Sequence, residues 1–130
     1  MSLWRRLWGS GGFLIDTILK DLIASVKGAQ AAIFVDGDGE AVSHFGETAM
    51  DLKLLAAWKE IHLDHIRDIT KRLGLGDVSA VLFSQEEGNA LVAPISGDYC
   101  LLLFLSAFAD LKDAMAKLKK ALLLLKEDIE

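Results

Sequence analysis

The sequence of 130 residues contains one cysteine and one proline. Cys100 has no second thiol to pair with, which excludes an internal disulfide. It lies in the apolar run Tyr99-Cys-Leu-Leu-Leu-Phe-Leu105 and reads as a small buried hydrophobe in a strand. A reactive thiol would need a nearby base and an exposed setting, and that run supplies neither. Basic residues are the minority charge, with 14 Lys and Arg against 19 Asp and Glu and a net charge of −5. That balance argues against generic nucleic-acid binding, which needs a basic footprint. No run of about 18 apolar residues occurs, so no transmembrane helix is expected. The opening Met1-Ser-Leu-Trp-Arg-Arg-Leu-Trp-Gly9 lacks the long apolar stretch of a signal peptide. Internal repeats and low-complexity segments are absent too. The expected location is the cytoplasm, which the cysteine usage suits.

Hydrophobic residues make up 52% and charged residues 25%, enough apolar material for a real core. The length fits one domain. Residues 1–12 stand apart from the rest. Leu3, Trp4, Leu7 and Trp8 recur at helical spacing beside Arg5 and Arg6, and Gly9-Ser-Gly-Gly12 reads as a flexible joint. Such a leader suits an anionic membrane surface or a partner protein. A helix of about eight residues is marginal alone, and packing on its own domain or a frayed tail are the competing readings. The domain proper is expected over 13–130.

Ile15, Ile18, Leu19, Leu22, Ile23 and Val26 form one apolar stripe and predict a helix over about 13–26, ended at Gly28. Ala31 to Val35 and a segment ending near Phe45 predict two strands joined by Asp36-Gly-Asp-Gly39. Asp36 and Asp38 have the first spacing of a calcium loop, but its glycine and final glutamate are not at the required offsets. Thr48, with Asp51 three residues on, predicts the start of a long helix over about 49–73, and Gly74 and Gly76 stop it. Leu55, Trp58, Ile66, Ile69 and Leu73 make one face of that helix, while Leu54, Ile61 and Leu63 fall partly outside it. A helix packed only on its own sheet needs a single stripe, so the second apolar zone points to burial against another molecule.

Strands follow over about 78–84, 90–95 and 99–105. Pro94 cannot donate a ladder bond, so its nitrogen must face an unpaired position or a bulge. Leu111, Met115, Leu118, Leu122, Leu125 and Ile129 form an apolar seam on a last helix, expected to pack on the sheet rather than to zip with another chain. The expected fold is α+β: a five-stranded, mostly antiparallel sheet with helices on both faces, in the order α-β-β-α-β-β-β-α.

Catalytic patterns are missing. There is no G-x-x-x-x-G-K-[ST] loop and no G-x-S-x-G elbow, and Gly74-Leu-Gly76 is too short for a dinucleotide fingerprint. His62 and His65 can share a helix face and bind zinc, but no His-Glu-x-x-His pattern accompanies them and a third ligand is lacking. A polar rim of an interface helix is the preferred reading. His44 has no evident partner. No cofactor and no metal are expected.

Gly28-Ala-Gln-Ala-Ala-Ile-Phe-Val-Asp-Gly-Asp-Gly39, Leu54-Leu-Ala-Ala-Trp58, Leu73-Gly-Leu-Gly-Asp77 and Val92-Ala-Pro-Ile95, in this order and spacing, resemble the Roadblock / dynein light chain family. The resemblance covers about residues 13–126 and extends to bacterial members that partner small Ras-like GTPases. It implies a profilin-like α+β fold and a homodimer. The third strand would pair with its mate across a two-fold axis through Val78, Ala80, Val81, Leu82 and Phe83, with Leu55 and Trp58 of the long helix beside it. It also implies a GTPase on the long-helix side, facing Leu54, Ile61, His62, His65 and Arg67. The implied role is non-catalytic: ordering the GTPase's own switch loops and so modulating its GTP cycle. An arginine finger from Arg67 or Arg72 is a second mode, set against plain solvent exposure of both. The alternative role is a nucleotide-independent scaffold subunit of a transport or membrane-associated complex. A small-molecule sensor would need an internal pocket, and the abundant large apolar residues favour a filled core.

Overall fold

The computed structural model describes residues 10–38, 40–46, 52–95 and 99–129. The elements are α1 (Ser10–Ser25), β1 (Ala29–Val35), β2 (Ala41–Gly46), α2 (Leu52–Arg72), β3 (Val81–Gln85), β4 (Gly88–Pro94), β5 (Cys100–Leu105) and α3 (Leu111–Ile129). The expected order of elements is the observed one.

Alternation along the strands sorts the core into two layers. In β1, Ala32 and Phe34 join one cluster while Ala31, Ile33 and Val35 join the other. Leu91 and Ala93 of β4 and Leu101, Leu103 and Leu105 of β5 lie with the first, under α1 and α3. Ala90, Val92, Cys100, Leu102 and Phe104 lie with the second, under α2. Strands buried on both faces read as continuous apolar runs, which is why β5 shows no polar alternation. Cys100 is buried there as a packing residue. All pairings are antiparallel, in the strand order β2-β1-β5-β4-β3.

Helix α1 buries Ile15, Ile18, Leu19 and Leu22, with Ile23 half-buried, and Val26 just past its end is buried too, as the stripe predicts. Its flank is tied to β2: Ser43 Oγ donates to the Asp16 carboxylate, and Lys20 Nζ lies 4.9 Å from the Phe45 ring centre. The helix begins at Ser10, three residues before the expected start, so residues 10–12 of the expected joint are helical backbone. Extending a packed helix by another residue is cheap compared with nucleating one. Residues 1–9 lie outside the described residues.

In α3 the buried line is Ala114, Leu118, Ala121 and Leu125. Leu111, Met115 and Leu122 of the expected seam are half-buried on its flank. The centre of the contact uses alanines because α1 and α3 pack against each other as well as on the sheet, and small side chains permit that approach. Packing on the sheet rather than a zipper is therefore the observed use of this helix.

Two turns show why local sequence and structure agree. The Asp36 carboxylate accepts from the backbone N–H groups of Asp38 at 2.9 Å and Glu40 at 3.1 Å, closing the β1–β2 turn as an Asx-type motif. At the end of α2, Leu75 N–H donates to Thr70 C=O at 2.9 Å and Gly74 N–H to Lys71 C=O at 3.2 Å. That pair is a Schellman cap, and Gly74 supplies its left-handed residue at φ +70°. Thr48 and Asp51, expected to start this helix, lie outside the described residues.

Strand β3 begins at Val81, three residues after the expected start, and 75–80 has no regular structure. The cause is Pro94. Ile95 N–H donates to Tyr99 C=O at 2.8 Å, on the β5 side. Successive N–H groups alternate, so the Pro94 nitrogen faces the β3 side and has no proton to give. The β3–β4 ladder accordingly ends at Val81 opposite Val92. Val78 and Ala80 still pack on the core, but from outside the strand.

Candidate interaction surface

Strand β3 is an edge strand. The two-residue connection between Gln85 and Gly88 sets its register, pairing Gln85 with Gly88, Phe83 with Ala90 and Val81 with Val92. In such a hairpin these are the hydrogen-bonded pairs, so the N–H and C=O groups of Leu82 and Ser84 point away from β4. Leu82 also leaves 42% of its surface exposed. An apolar edge with outward-facing backbone groups is a template for another strand. Val81 and Phe83 turn to the opposite face of the sheet, where they are half-buried beneath α2.

Helix α2 divides into three sectors at about 100° per residue. Ala56, Lys59 and Leu63 are buried against the sheet, with Ile66 half-buried beside them. The charged sector carries Asp64, Arg67, Asp68 and Lys71, all exposed. Its ion pairs, Arg67–Asp64 at 3.9 Å and Arg72–Asp68 at 3.2 Å, are solvated and contribute little to stability. The third sector is apolar and open: Ile61, Ile69 and Leu73 are 57%, 54% and 66% exposed. Leu75 continues it past the cap, also exposed. This sector lies on the β3 side, because half-buried His62 stands edge-on to Phe83 with ring centres 6.3 Å apart.

Of the residues expected to face a GTPase, Ile61 and His65 share the outward side of α2. His62 turns toward β3, and Arg67 lies in the charged sector, about 140° round the helix from it. Leu54, Leu55 and Trp58 fall within α2, and their side chains lie outside the described atoms. Leu3, Trp4, Arg5, Arg6, Leu7 and Trp8 lie outside the described residues. Among the described residues no group of three His, Cys, Asp or Glu is placed to hold a metal ion. No helix among them is long and apolar enough to cross a membrane.

Lys59 is the residue that the sequence pattern does not reveal. It lies in the buried sector of α2, 1% exposed, with Nζ 4.1 Å from the centre of the Phe83 ring. Burial holds its ammonium below the ordinary lysine pKa, since the charged form loses hydration. The ring face offsets part of that loss. Its position three after Ala56 and four before Leu63 was the only available signal. Lys59 thus links the middle of α2 to the edge strand through one aromatic side chain.

Five antiparallel strands in this order, with α1 and α3 on one face and α2 on the other, form the Roadblock/LC7 fold, related in architecture to profilin. The resemblance read from the sequence is borne out at this level. A Roadblock/LC7 domain from Streptomyces avermitilis superposes with a TM-score of 0.80 at 19% identity, covering 88% of this chain and 96% of that one. Myxococcus xanthus MglB does so at 0.81 and 17% identity, covering 89% and 87%. MglC from Myxococcus xanthus gives 0.63 at 26% identity, covering 88% and 98%. No family model matches the sequence, and no curated protein does.

Proposed function

We propose that this chain is a non-catalytic homodimeric regulator or adaptor that binds a small Ras-like GTPase and modulates its GTP cycle. The observation that carries the reading is the continuity of the open apolar sector of α2 with the unpaired edge of β3. A two-fold contact presents one patch to its own copy. Strand β3 supplies the ladder, with Leu82 on the sheet face away from α2, and α2 supplies Ile69 and Leu73 on the other face beside the same edge. Dimerisation would remove an edge hazard and an exposed apolar stripe together. Ile61 and His65, pointing furthest from the sheet, remain for the GTPase. The Roadblock resemblance supplies the class of partner, and the likeness to MglB and MglC supports the bacterial type.

In this reading the protein brings no reacting group. It holds the GTPase switch loops in place, and the GTPase's own residues act on the γ-phosphate. Arg67 and Arg72 are exposed and paired within their own helix, Arg67 with Asp64 and Arg72 with Asp68.

The test is a pull-down from native lysate with GDP and with a non-hydrolysable GTP analogue, followed by hydrolysis assays with the recovered GTPase. Retention in mainly one nucleotide state and a changed turnover support a regulator. Recovery of the same non-GTPase partners in both states would replace this reading with a scaffold.

A further inference from the structure

The side of the molecule opposite α2 carries a charge pattern unlike the rest. On α3, Lys112, Lys119, Lys120 and Lys126 are exposed, in a protein of net charge −5. At about 100° per residue, Lys112, Lys119 and Lys120 fall within about 60° of Leu123. Leu123 is 68% exposed and Leu124 44%. Among the described residues Glu127 is the exposed carboxylate on this side, while Asp113 and Lys117 sit half-buried on the flank. The buried side of the same helix is already taken by α1 and the sheet.

We propose that this face of α3 is a docking surface for an anionic lipid membrane. Lysines on a surface helix attract acidic headgroups, and leucines among them enter the headgroup–acyl boundary. The placement of Leu123 inside the lysine band favours lipid over nucleic acid, which would answer the charges and leave the leucines in water. The chain enters α1 near one end of this surface. Gly28 C=O accepts from Ser106 N–H at 2.8 Å, so the end of α1 meets the start of α3. The two helices pack side by side and are about 24 and 28 Å long. The start of α1 at Ser10 therefore lies toward the end of α3 that carries Leu123 and Leu124. The sequence preceding Ser10 holds Trp4, Trp8, Arg5 and Arg6, residue types that suit the same interface. The surface lies across the sheet from the proposed GTPase side and is independent of that proposal.

The test is flotation of the full chain with phosphatidylcholine vesicles containing or lacking phosphatidylserine. Binding is expected only with phosphatidylserine and is expected to fall as salt rises. The exposed double variant Lys119→Gln/Lys120→Gln should keep its fold and bind about thirtyfold more weakly, the combined effect of two lysines at an acidic surface. Leu123→Ser/Leu124→Ser should also weaken binding. No binding of the unmodified chain to phosphatidylserine vesicles overturns the proposal. So does full binding by both double variants with loss only on deletion of residues 2–9, which would assign the surface to the leader. Displacement from vesicles by RNA, with the leucine variant unaffected, would make the face a nucleic-acid surface instead.

Discussion

Replacing Leu82 with proline separates the two sides of the edge strand. The Leu82 N–H points away from β4, so its loss removes no bond of the β3–β4 ladder. Pairing of β3 with a second copy would use that N–H in each protomer. Its removal orphans two acceptors per dimer, at about 1–3 kcal/mol each. The exposed 42% of the leucine, buried on association, adds roughly 1 kcal/mol per copy. The dimer should therefore weaken by at least about 4 kcal/mol, or roughly a thousandfold in dissociation constant. Equilibrium sedimentation measures this directly, with far-UV circular dichroism to confirm a folded protomer. Phe83→Pro is the matched control. Its N–H faces β4, so it should lower the protomer's own melting temperature. A Leu82→Pro protein that is folded and dimerises as tightly as the parent refutes pairing through β3.

Gly46 sits at φ +90°, and a Cβ there would lie 2.1 Å from the Gln30 carbonyl oxygen. Gly46→Ala should cost at least about 1–2 kcal/mol, read as a lowered melting temperature. Leu118 is fully buried between α3 and the sheet, and Leu118→Ala should cost about 2–5 kcal/mol in urea unfolding. Lys59 has its pKa depressed below 10.5 in the folded protein. Below the depressed value both states hold the proton, and between it and 10.5 only the unfolded chain does. Stability from this group should thus climb as pH rises through that window, and the climb should be missing in Lys59→Met. Identical pH profiles for the two proteins would show that the buried ammonium is not the cause.

Much of the fold was written locally. The stripe of α1 is legible because Ile15, Ile18, Leu19, Leu22 and Val26 sit one turn apart, and the core takes what that spacing offers. Asp36 and Gly74 specify their turns through bonds that close within a few residues. The start of β3 was misplaced because the limit is set by Pro94, which lies on another strand and acts through the ladder. The contact line of α3 was shifted because Ala114 and Ala121 carry no strong apolar signal, and only the approach of α1 makes small residues the right ones. Lys59 was missed for the reverse reason: a charged residue reads as a solvent position until a phenylalanine from β3 is found beneath it.

The sequence by itself determined the order of elements, the absence of a known catalytic pattern and the surplus of apolar residues on α2. Those follow from periodicity and composition, which are properties of neighbours along the chain. Which strand is left at the edge, which sector of α2 stays open beside it, and that the side of α3 carrying its lysines and Leu123 is the one left uncovered were decided only by the tertiary structure. A helix shows the same stripes wherever it docks. Only the pairing of β1 with β5, which closes the middle of the sheet across most of the chain, fixes which of those stripes is consumed in the core and which is left for a partner.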